Sequence, residues 1–395
     1  MLPLLPGGGF FMTDQKEKYL KGKRIFPDPI VDGLSIKNLI DGYFNGYNAA
    51  RIQEICHLVA NKMSRQDVYI GVSLSGALTP AGLGSSCIAP MIRSGMIDYI
   101  VTTGANLYHD LHYSLDLCLT RGTPFVDDNE LFENDIIRIY DIFMDYKVLA
   151  ATDNWLMRTF SKAEFQKRMG TRELHYMLGK FADEVEQDRG TVGKSFIAEA
   201  YRYDVPIYTS SPGDSTLGLN IAALNLIGKD ICIDPSIDVN ETTALVLEAK
   251  RVGKSGVIVW GGGSPKNFIL QPEPALQEVL GFDIKGHDYF LQVTDARPDT
   301  GGLSGATPSE AVSWAKIDPD TVNQSVVCYS DTTIVMPLLT AYLEDCGIKR
   351  EPKRLYKKFP SLTDKLREAF MQQEDLILGK RSVADTIKFL KKSKD

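Results

Sequence analysis

The sequence predicts an α/β fold in which a doubly wound, mostly parallel sheet is covered by helices on both faces. Two observations predict it. Short β-branched runs alternate with helical segments along most of the chain, which is typical of parallel sheets with crossover helices. Clusters of glycine and polar residues directly follow most of these runs. Ligands of doubly wound sheets bind on that side, so the candidate site lies at the carboxyl ends of the strands.

Seven runs have the β-branched, apolar composition of buried strands. They cover residues 68–74, 99–103, 205–209, 230–233, 256–260, 289–293 and 326–329. Apolar residues at helical spacing predict two amphipathic helices within residues 35–64 and further helices over 215–226, 240–252 and 334–346. Residues 110–200 are more helical and irregular and are interpreted as an insertion; no linker indicates that they form a separate domain.

The chain of 395 residues is long enough for one large domain or two smaller ones. We expect a single α/β domain over residues 14–395. Residues 1–13 are interpreted as a disordered N-terminal arm, because Met12 and the polar residues after it look like a more natural start. The last residues, 376–395, are interpreted as a basic helix with a solvated face.

Composition restricts the class of function. The formal net charge of −7 disfavours nucleic acid as the main partner and is compatible with a cationic substrate. The six cysteines are scattered without Cys-x-x-Cys spacing, which predicts reduced thiols in a cytoplasmic protein rather than disulfides or a zinc site. No stretch reaches the ~18 apolar residues of a membrane span, so no membrane partner is expected.

Two glycine-rich turns follow predicted strands. Gly261-Gly-Gly263 precedes a predicted helix, and Ser75-Gly-Ala-Leu-Thr-Pro-Ala-Gly-Leu-Gly84 follows another strand. Glycines there let backbone amides approach a phosphate at a helix N-terminus. The alternative is a plain strand-to-helix turn, and neither turn has the Gly-x-Gly-x-x-Gly pattern of standard dinucleotide sites.

Lys316 is the candidate nucleophile. It follows a short apolar helical stretch and lies two residues after Trp314. In a dry pocket its ammonium form is disfavoured, which makes the neutral amine available for imine chemistry. The alternative is a surface lysine. Glu310 is a candidate partner for a cationic amine, or else an ordinary first-turn acid. The ring of Trp314 is a candidate cation platform, or else part of the core.

His109 and His112 are spaced so that they can share a helix face. A zinc or other transition-metal site needs a third and a fourth ligand, and none is apparent nearby. We therefore expect no metal in this protein.

Five segments resemble the deoxyhypusine synthase family and occur in the family's order over roughly residues 35–345. They are Val101-Thr-Thr-Gly-Ala105, Asn154-Trp-Leu-Met157, Asp214-Ser-Thr-Leu-Gly218, Gly256-Val-Ile-Val-Trp-Gly-Gly-Gly-Ser-Pro-Lys266 and Ser304-Gly-Ala-Thr-Pro-Ser-Glu-Ala-Val-Ser-Trp-Ala-Lys316. The resemblance implies a Rossmann-like domain that binds NAD, a homotetramer with active sites between subunits, and polyamine substrates.

The resemblance also implies roles for individual residues. Lys316 forms the covalent imine, Asn267 stands where the family has a histidine that assists proton transfer, and substrate amines meet Glu310, Trp314, Tyr108 and His109. The residues expected against NAD are Gly76, Ala77, Leu78, Thr79, Thr103, Gly104, Ala105, Asp214, Gly262, Ala296 and Asp331. Asp214 and Asp331 suit ribose hydroxyls, since a carboxylate accepts two hydrogen bonds.

The amine pocket departs from the family pattern. Positions that match family acids, the histidine and a downstream asparagine read Leu219, Leu303, Tyr108, His109, Asn267 and Gln271. Leucine cannot accept a hydrogen bond from an ammonium, and an unpaired buried ammonium is costly. Nucleophile and cofactor turns are thus kept while amine recognition is changed.

The resemblance implies an NAD-dependent transferase that moves an aminobutyl group from a polyamine such as spermidine, through a Lys316 imine, to an acceptor amine. The changed pocket favours a small di- or polyamine acceptor, as in homospermidine synthases. Two alternatives stay open: a deoxyhypusine synthase that modifies a protein lysine, and an NAD-binding homologue without catalytic activity.

Overall fold

The computed structural model describes residues 14–373. The predicted N-terminal arm, residues 1–13, and the predicted basic helix in residues 376–395 lie outside the described residues. The single-domain interpretation of residues 14–395 stays a prediction.

Strands in the described part of the chain form one large sheet and two small ones. In chain order they are β1 (Val68–Leu74), β2 (Tyr99–Thr102), β3 (Thr120–Arg121), β4 (Ile136–Ile139), β5 (Ile142–Asp145), β6 (Arg168–Met169), β7 (Ile207–Thr209), β8 (Cys232–Ile233), β9 (Lys254–Trp260), β10 (Tyr289–Thr294) and β11 (Ser325–Tyr329).

Helices connect most of these strands. They are α1 (Asp14–Leu20), α2 (Ile36–Tyr43), α3 (Tyr47–Leu58), α4 (Ala89–Arg93), α5 (Gly104–Ser114), α6 (Asp128–Glu133), α7 (Tyr146–Phe160), α8 (Thr171–Arg189), α9 (Phe196–Arg202), α10 (Thr216–Leu226), α11 (Pro235–Val252), α12 (Gly263–Leu270), α13 (Pro272–Pro274), α14 (Pro308–Ser313), α15 (Thr332–Asp345) and α16 (Phe359–Met371). None of the helices within residues 14–373 combines the length and apolar character that a bilayer crossing needs.

The large sheet has the strand order β11-β10-β9-β1-β2-β7, and all of its neighbouring strands are parallel. The chain builds outward from β1 through β2 to β7, then returns to the other side of β1 and builds outward through β9 and β10 to β11. This is the doubly wound order of dinucleotide-binding folds, and the direction reverses between β1 and β9. The predicted fold class is therefore confirmed.

Alternating residues of the central strands face two separate cores. In β9, Ile258 and Trp260 belong to the larger apolar cluster, while Val257 and Val259 belong to the smaller one. Successive side chains of a strand point to opposite faces, so a strand that is apolar at every position must be covered on both. Helices α3, α5 and α15 pack on the larger cluster, and α11, α12 and α16 on the smaller.

Two short elements differ from the sequence prediction. Residues 230–233 were expected to form a strand of the main sheet, but β8 pairs only with β6 in a two-stranded sheet. Residues 110–200 contain an antiparallel sheet, β3-β5-β4, that the sequence pattern did not indicate. Its strands are only two to four residues long and largely half-buried or exposed, although β4 and β5 are mostly apolar in sequence.

Candidate active site

The crevice where the strand order reverses is formed by Ser75, just after β1, and the glycine turn after β9. Ser75 Oγ donates to the Trp260 carbonyl oxygen at 3.0 Å and accepts from Gly262 N at 2.9 Å. Gly261 has φ +82°, and a Cβ there would lie 2.0 Å from Ser75 Oγ. The two strand ends therefore approach closely because position 261 has no side chain. Helix α12 begins at Gly263, directly in this crevice.

The neighbouring turn after β2 is tied to the turn after β1. Thr103 caps α5, and its Oγ1 donates to the Gly76 carbonyl oxygen at 2.7 Å. The Asn106 side-chain oxygen accepts from Leu78 N at 2.6 Å and Thr79 N at 3.3 Å. The residues predicted to contact a cofactor in these two turns thus form one hydrogen-bonded rim.

The remaining predicted cofactor residues extend this rim in both directions along the sheet edge. Gly104 packs against Ser215, and a Cβ added at position 104 would lie 2.1 Å from the Ser215 hydroxyl oxygen. Asp214 is exposed in the turn before α10. Ala296 follows β10, and Asp331 caps α15 after β11. The structure therefore brings the predicted residues to one edge, in the order of the strands, together with the partly buried Ala77 and Ala105.

Lys316 is held by its backbone at the end of α14. Lys316 N donates to the Ala311 oxygen and Ala315 N to the Val312 oxygen, both at 3.0 Å, so the helix ends in a Schellman motif. Ala315 occupies the left-handed position of that motif, with φ 55°. An alanine there costs roughly 1–2 kcal/mol more than a glycine. Backbone strain is thus stored next to the candidate nucleophile.

A second chain segment supports Lys316 from the other side. His287 N donates to the Lys316 oxygen at 3.0 Å, and Gln277 Nε2 donates to the Ala315 oxygen at 3.0 Å. A Cβ at Gly286 would lie 2.6 Å from the Lys316 carbonyl carbon, so glycine permits this approach. The lysine backbone is therefore fixed while its side chain extends into a cavity.

That cavity, here called the Lys316 cavity, has a volume of about 370 Å³. It is lined by Lys266, Asn267, Leu270, Gln271, Pro274, Glu278, Phe290, Leu303, Ala306, Glu310, Ala311, Trp314 and Lys316. Lys316 Nζ donates to Asn267 Oδ1 at 2.8 Å. Burial lowers the pKa of Lys316, while Glu278 and Glu310 act to raise it. An amide accepts this hydrogen bond without pairing with the positive charge, which favours the neutral amine more than a carboxylate partner would.

Lys266 is a second lysine in the cavity, but its surroundings differ. Its Nζ donates to Gln292 Oε1 at 2.9 Å, the Ala306 oxygen at 2.8 Å and the Ser304 oxygen at 3.2 Å. Burial lowers its pKa to about 8. All three ammonium hydrogens have acceptors, so Lys266 fastens α12 to residues 304–306 and has no free lone pair. Lys316, with one acceptor, is the better nucleophile.

The other lining residues suit an alkylammonium chain. Leu270, Phe290 and Leu303 supply apolar walls, and Glu278 and Glu310 supply two carboxylates. Trp314 leaves 58% of its surface exposed at the cavity, so its ring is a platform rather than part of the core. Short carbon chains with cationic ends match this mixture of surfaces.

Tyr108, His109 and Leu219 do not line the Lys316 cavity. Tyr108 is buried on α5, where its hydroxyl donates to Asp153 Oδ1 at 3.0 Å. His109 Nδ1 lies 3.1 Å from His112 Nε2. Burial lowers the pKa of both histidines, to about 4 and about 3, so both are neutral at pH 7. Within residues 14–373, no group of three or more His, Cys, Asp or Glu side chains is placed to hold a metal ion.

Sequence reasoning singled out Asn267, Glu310, Trp314 and Lys316, and the structure brings these four together. It missed Lys266 and Glu278 as site residues. Lys266 could have been identified from the sequence as a site residue, because it lies in the first turn after the triple glycine and next to Asn267. Glu278 could not have been found in this way, since it lies in the separate π-helical segment Ala275–Val279, outside the glycine turn and the Lys316 motif.

A sequence model of deoxyhypusine synthase matches residues 38–343. The chain belongs to the deoxyhypusine synthase family. A "Deoxyhypusine synthase-like protein" of Cyanothece sp. is 51% identical over 373 residues, which is 92% of this chain and 93% of that protein. A protein of Methanosarcina acetivorans named "Probable deoxyhypusine synthase 2" is 37% identical over 80% of this chain and 88% of its own length.

A solved structure from Entamoeba histolytica, assigned as a deoxyhypusine synthase, has the same fold. It superposes with a TM-score of 0.55 at 14% identity, over 83% of this chain and 99% of that one. In this chain, helix α12 begins at the strand-end crevice and lines the Lys316 cavity.

Proposed function

We propose that this member of the family is an NAD-dependent transferase that moves an aminobutyl group from a polyamine such as spermidine to a small amine. One observation carries the proposal: Lys316 Nζ projects into a cavity, is held by the amide oxygen of Asn267 at 2.8 Å, and has its pKa lowered by burial. A lysine so placed is suited to form an imine with an alkyl group.

The residues at the strand-end crevice support NAD as the cofactor. Gly76 has φ +64°, and a Cβ added at this position would have nothing within 4 Å. A Cβ added at Gly104 would meet Ser215, and one added at Gly262 would meet Ser304. The backbone at Gly76 can therefore approach a bound dinucleotide closely, whereas glycine at positions 104 and 262 lets the two serines pack against this rim. When bound, NAD supplies a reversible hydride acceptor for the carbon beside the donor's secondary amine.

The residues of the Lys316 cavity account for the other steps. Neutral Lys316 attacks the oxidised donor carbon, the C–N bond to the leaving amine breaks, and the alkyl group stays on Lys316 as a Schiff base. Asn267 orients the lysine but cannot take its proton, because an amide is not a base near pH 7, so that proton goes to the leaving amine. An acceptor amine then displaces Lys316 and carries the alkyl group as an imine, which the hydride held by a bound cofactor would reduce to the new secondary amine with no net oxidation.

Product analysis tests the proposal. The enzyme is incubated with NAD, spermidine and a mixture of putrescine and agmatine, and the products are identified by mass spectrometry. We expect a new polyamine that carries the aminobutyl group on the acceptor. Borohydride added before the acceptor is expected to trap an alkylated peptide containing Lys316. An adduct on Lys266 instead would contradict the assignment of the nucleophile.

The same experiment distinguishes the two alternatives. A deoxyhypusine synthase that modifies a protein lysine would give the trapped adduct but no small product. An inactive homologue would give neither. The homotetramer that the family resemblance implies, with active sites between subunits, is part of our proposal.

Replacing Gly261 by alanine is expected to weaken NAD binding at least tenfold, measured by titration calorimetry. The new Cβ would lie 2.0 Å from Ser75 Oγ at φ +82°, so the crevice must open or the turn must change conformation. Gly347→Ala is the matched control, since position 347 has φ +64° but nothing within 4 Å of a Cβ. Equal NAD affinity of Gly261→Ala and Gly347→Ala would contradict this placement of the cofactor.

A further inference from the structure

A second cavity adjoins the Lys316 cavity. It has a volume of about 360 Å³ and lies between α11 and the segment that includes α13 and Ala275–Val279. Gln271, Pro274 and Glu278 line both cavities. The two cavities therefore share a wall made by these three residues, so a molecule in the second cavity lies beside the Lys316 cavity.

The walls of the second cavity are apolar. Val239, Phe268, Pro272 and Val279 line it with their carbon atoms, together with Pro274 and Ala275. The two hydroxyls in the wall are already used inside α11: Thr242 Oγ1 donates to the Asp238 oxygen at 2.8 Å and Thr243 Oγ1 to the Val239 oxygen at 2.6 Å. Apart from the side chains of Gln271 and Glu278, the surface left for a ligand is therefore hydrocarbon, which suits a methylene chain.

Glu278 is the only charged residue in the lining of the second cavity, and it lies at the junction with the Lys316 cavity. Its carboxylate contributes to the electrostatic environment of Lys316. An ammonium group paired with Glu278 would therefore be close to the lysine, while its carbon chain lies against the apolar walls. A carboxylate there also receives the proton that the ammonium must lose before it attacks.

We propose that the second cavity is the acceptor subsite and that it takes a free aliphatic amine with a short methylene chain, its reacting nitrogen at Glu278. This inference rests on the proposed transferase function. The donor occupies the Lys316 cavity, and the acceptor enters beside it. The acceptor amine forms a bond to the imine carbon as the Lys316 nitrogen leaves, and the acceptor's proton passes to Glu278. A cavity of this size has room for a short aliphatic amine.

Two variants and one control test the subsite. Val239→Trp fills the second cavity from α11 without touching the Lys316 cavity, because Val239 lines only the former and is 45% exposed. Glu278→Gln removes the charge but keeps the shape. Val252→Trp is the control, since Val252 lies at the exposed end of the same helix and outside both cavities.

The two half-reactions are measured separately. The donor half is the borohydride-trapped adduct formed with NAD and spermidine alone, and the acceptor half is product formation at varied putrescine concentration. We expect Val239→Trp and Glu278→Gln to raise the KM for putrescine at least tenfold, with the Val239→Trp adduct yield within twofold of wild type. Val252→Trp should match wild type in both halves.

The outcomes separate the two proposals. If the wild-type enzyme forms no adduct, the transferase function itself is wrong. If the adduct forms but both variants keep the wild-type KM for putrescine, only the acceptor subsite is wrong. Equal loss of adduct and product in Val239→Trp, or transfer to protein lysines alone, would also overturn the acceptor assignment.

Discussion

Lys316→Arg is expected to lower aminobutyl transfer on the order of a thousandfold or more, as removal of a covalent nucleophile does. Arginine keeps the positive charge and still donates to Asn267 Oδ1, which accepts from Lys316 at 2.8 Å. Its guanidinium is never deprotonated near pH 7, so it cannot form the imine. Steady-state rates with spermidine and putrescine measure the loss, and borohydride trapping should detect no adduct at position 316.

Lys285→Arg is a suitable control for this variant, because Lys285 is an exposed lysine outside the Lys316 cavity that pairs with Asp320. It should retain the wild-type rate. NAD affinity of Lys316→Arg should stay within twofold of wild type, which separates loss of chemistry from loss of the fold. Transfer by Lys316→Arg at the wild-type rate would refute the covalent mechanism.

The pH dependence of the wild-type reaction has a related physical origin. Burial lowers the pKa of Lys316, whereas Glu278 and Glu310 act to raise it. At a given pH, a larger fraction of Lys316 is therefore neutral than of an exposed lysine. The two carboxylates limit how far the pKa of Lys316 is lowered. The cavity thus balances nucleophile activation against binding of cationic substrates.

Much of the fold was predictable from the sequence because the central strands are buried on both faces. A strand such as β9, with Val257, Ile258 and Val259 in succession, has an apolar run that helices and loops rarely show. The hairpin of β4 and β5 was not predicted, although its strands read Ile136-Ile-Arg-Ile139 and Ile142-Phe-Met-Asp145. Each strand has only four residues, and the tight turn between them has Tyr140 at φ 55°, a conformation that is uncommon for a residue other than glycine.

The candidate site was predictable only in part. Glu310, Trp314 and Lys316 were found because they lie within seven residues of one another in a motif, and Asn267 because it follows the glycine turn. Glu278 comes to the cavity through the fold of Ala275–Val279, where Gln277 Nε2 also donates to the Ala315 oxygen. Such contacts between distant segments leave no local pattern in a single sequence.

Glu273→Gln is expected to remove a large pH dependence of stability. Glu273 is completely buried on α13, and neither of its carboxyl oxygens has a hydrogen-bond partner within residues 14–373. His287 Nδ1 lies 3.4 Å from Glu273 Oε1. Burial raises the pKa of Glu273 to about 8. Among the charged neighbours, Lys250 acts to lower that pKa, and Asp288 and Asp318 act to raise it.

The sign of the effect follows from proton binding. Between pH 4.5 and about 8, Glu273 is protonated in the folded protein and ionised in the unfolded chain. The folded state binds more protons there, so the free energy of unfolding falls as pH rises. Burial also lowers the pKa of His287 to about 3. Below pH 6.5 the unfolded chain therefore binds more protons at this histidine, whose contribution to the free energy of unfolding rises with pH. Burial also shifts the pKa values of Asp110 and Asp238 to about 7 and that of Lys266 to about 8, so these groups titrate in the window from pH 6.5 to 8 as well. The contribution of Glu273 is therefore the difference between wild type and Glu273→Gln in this window, a decrease of about 2 kcal/mol.

Urea unfolding at several pH values and one protein concentration measures this difference. Wild type should lose stability from pH 6.5 to 8, and Glu273→Gln should lose about 2 kcal/mol less over the same interval. Glu278→Gln is the control, because Glu278 is exposed in the adjoining segment. Removing its charge should leave the slope of the free energy of unfolding against pH as in the wild type over this interval. Parallel curves for wild type and Glu273→Gln would mean that Glu273 is already ionised in the folded protein at pH 6.5. A buried carboxylate there needs compensation from Lys250, so Lys250→Met would then be strongly destabilising.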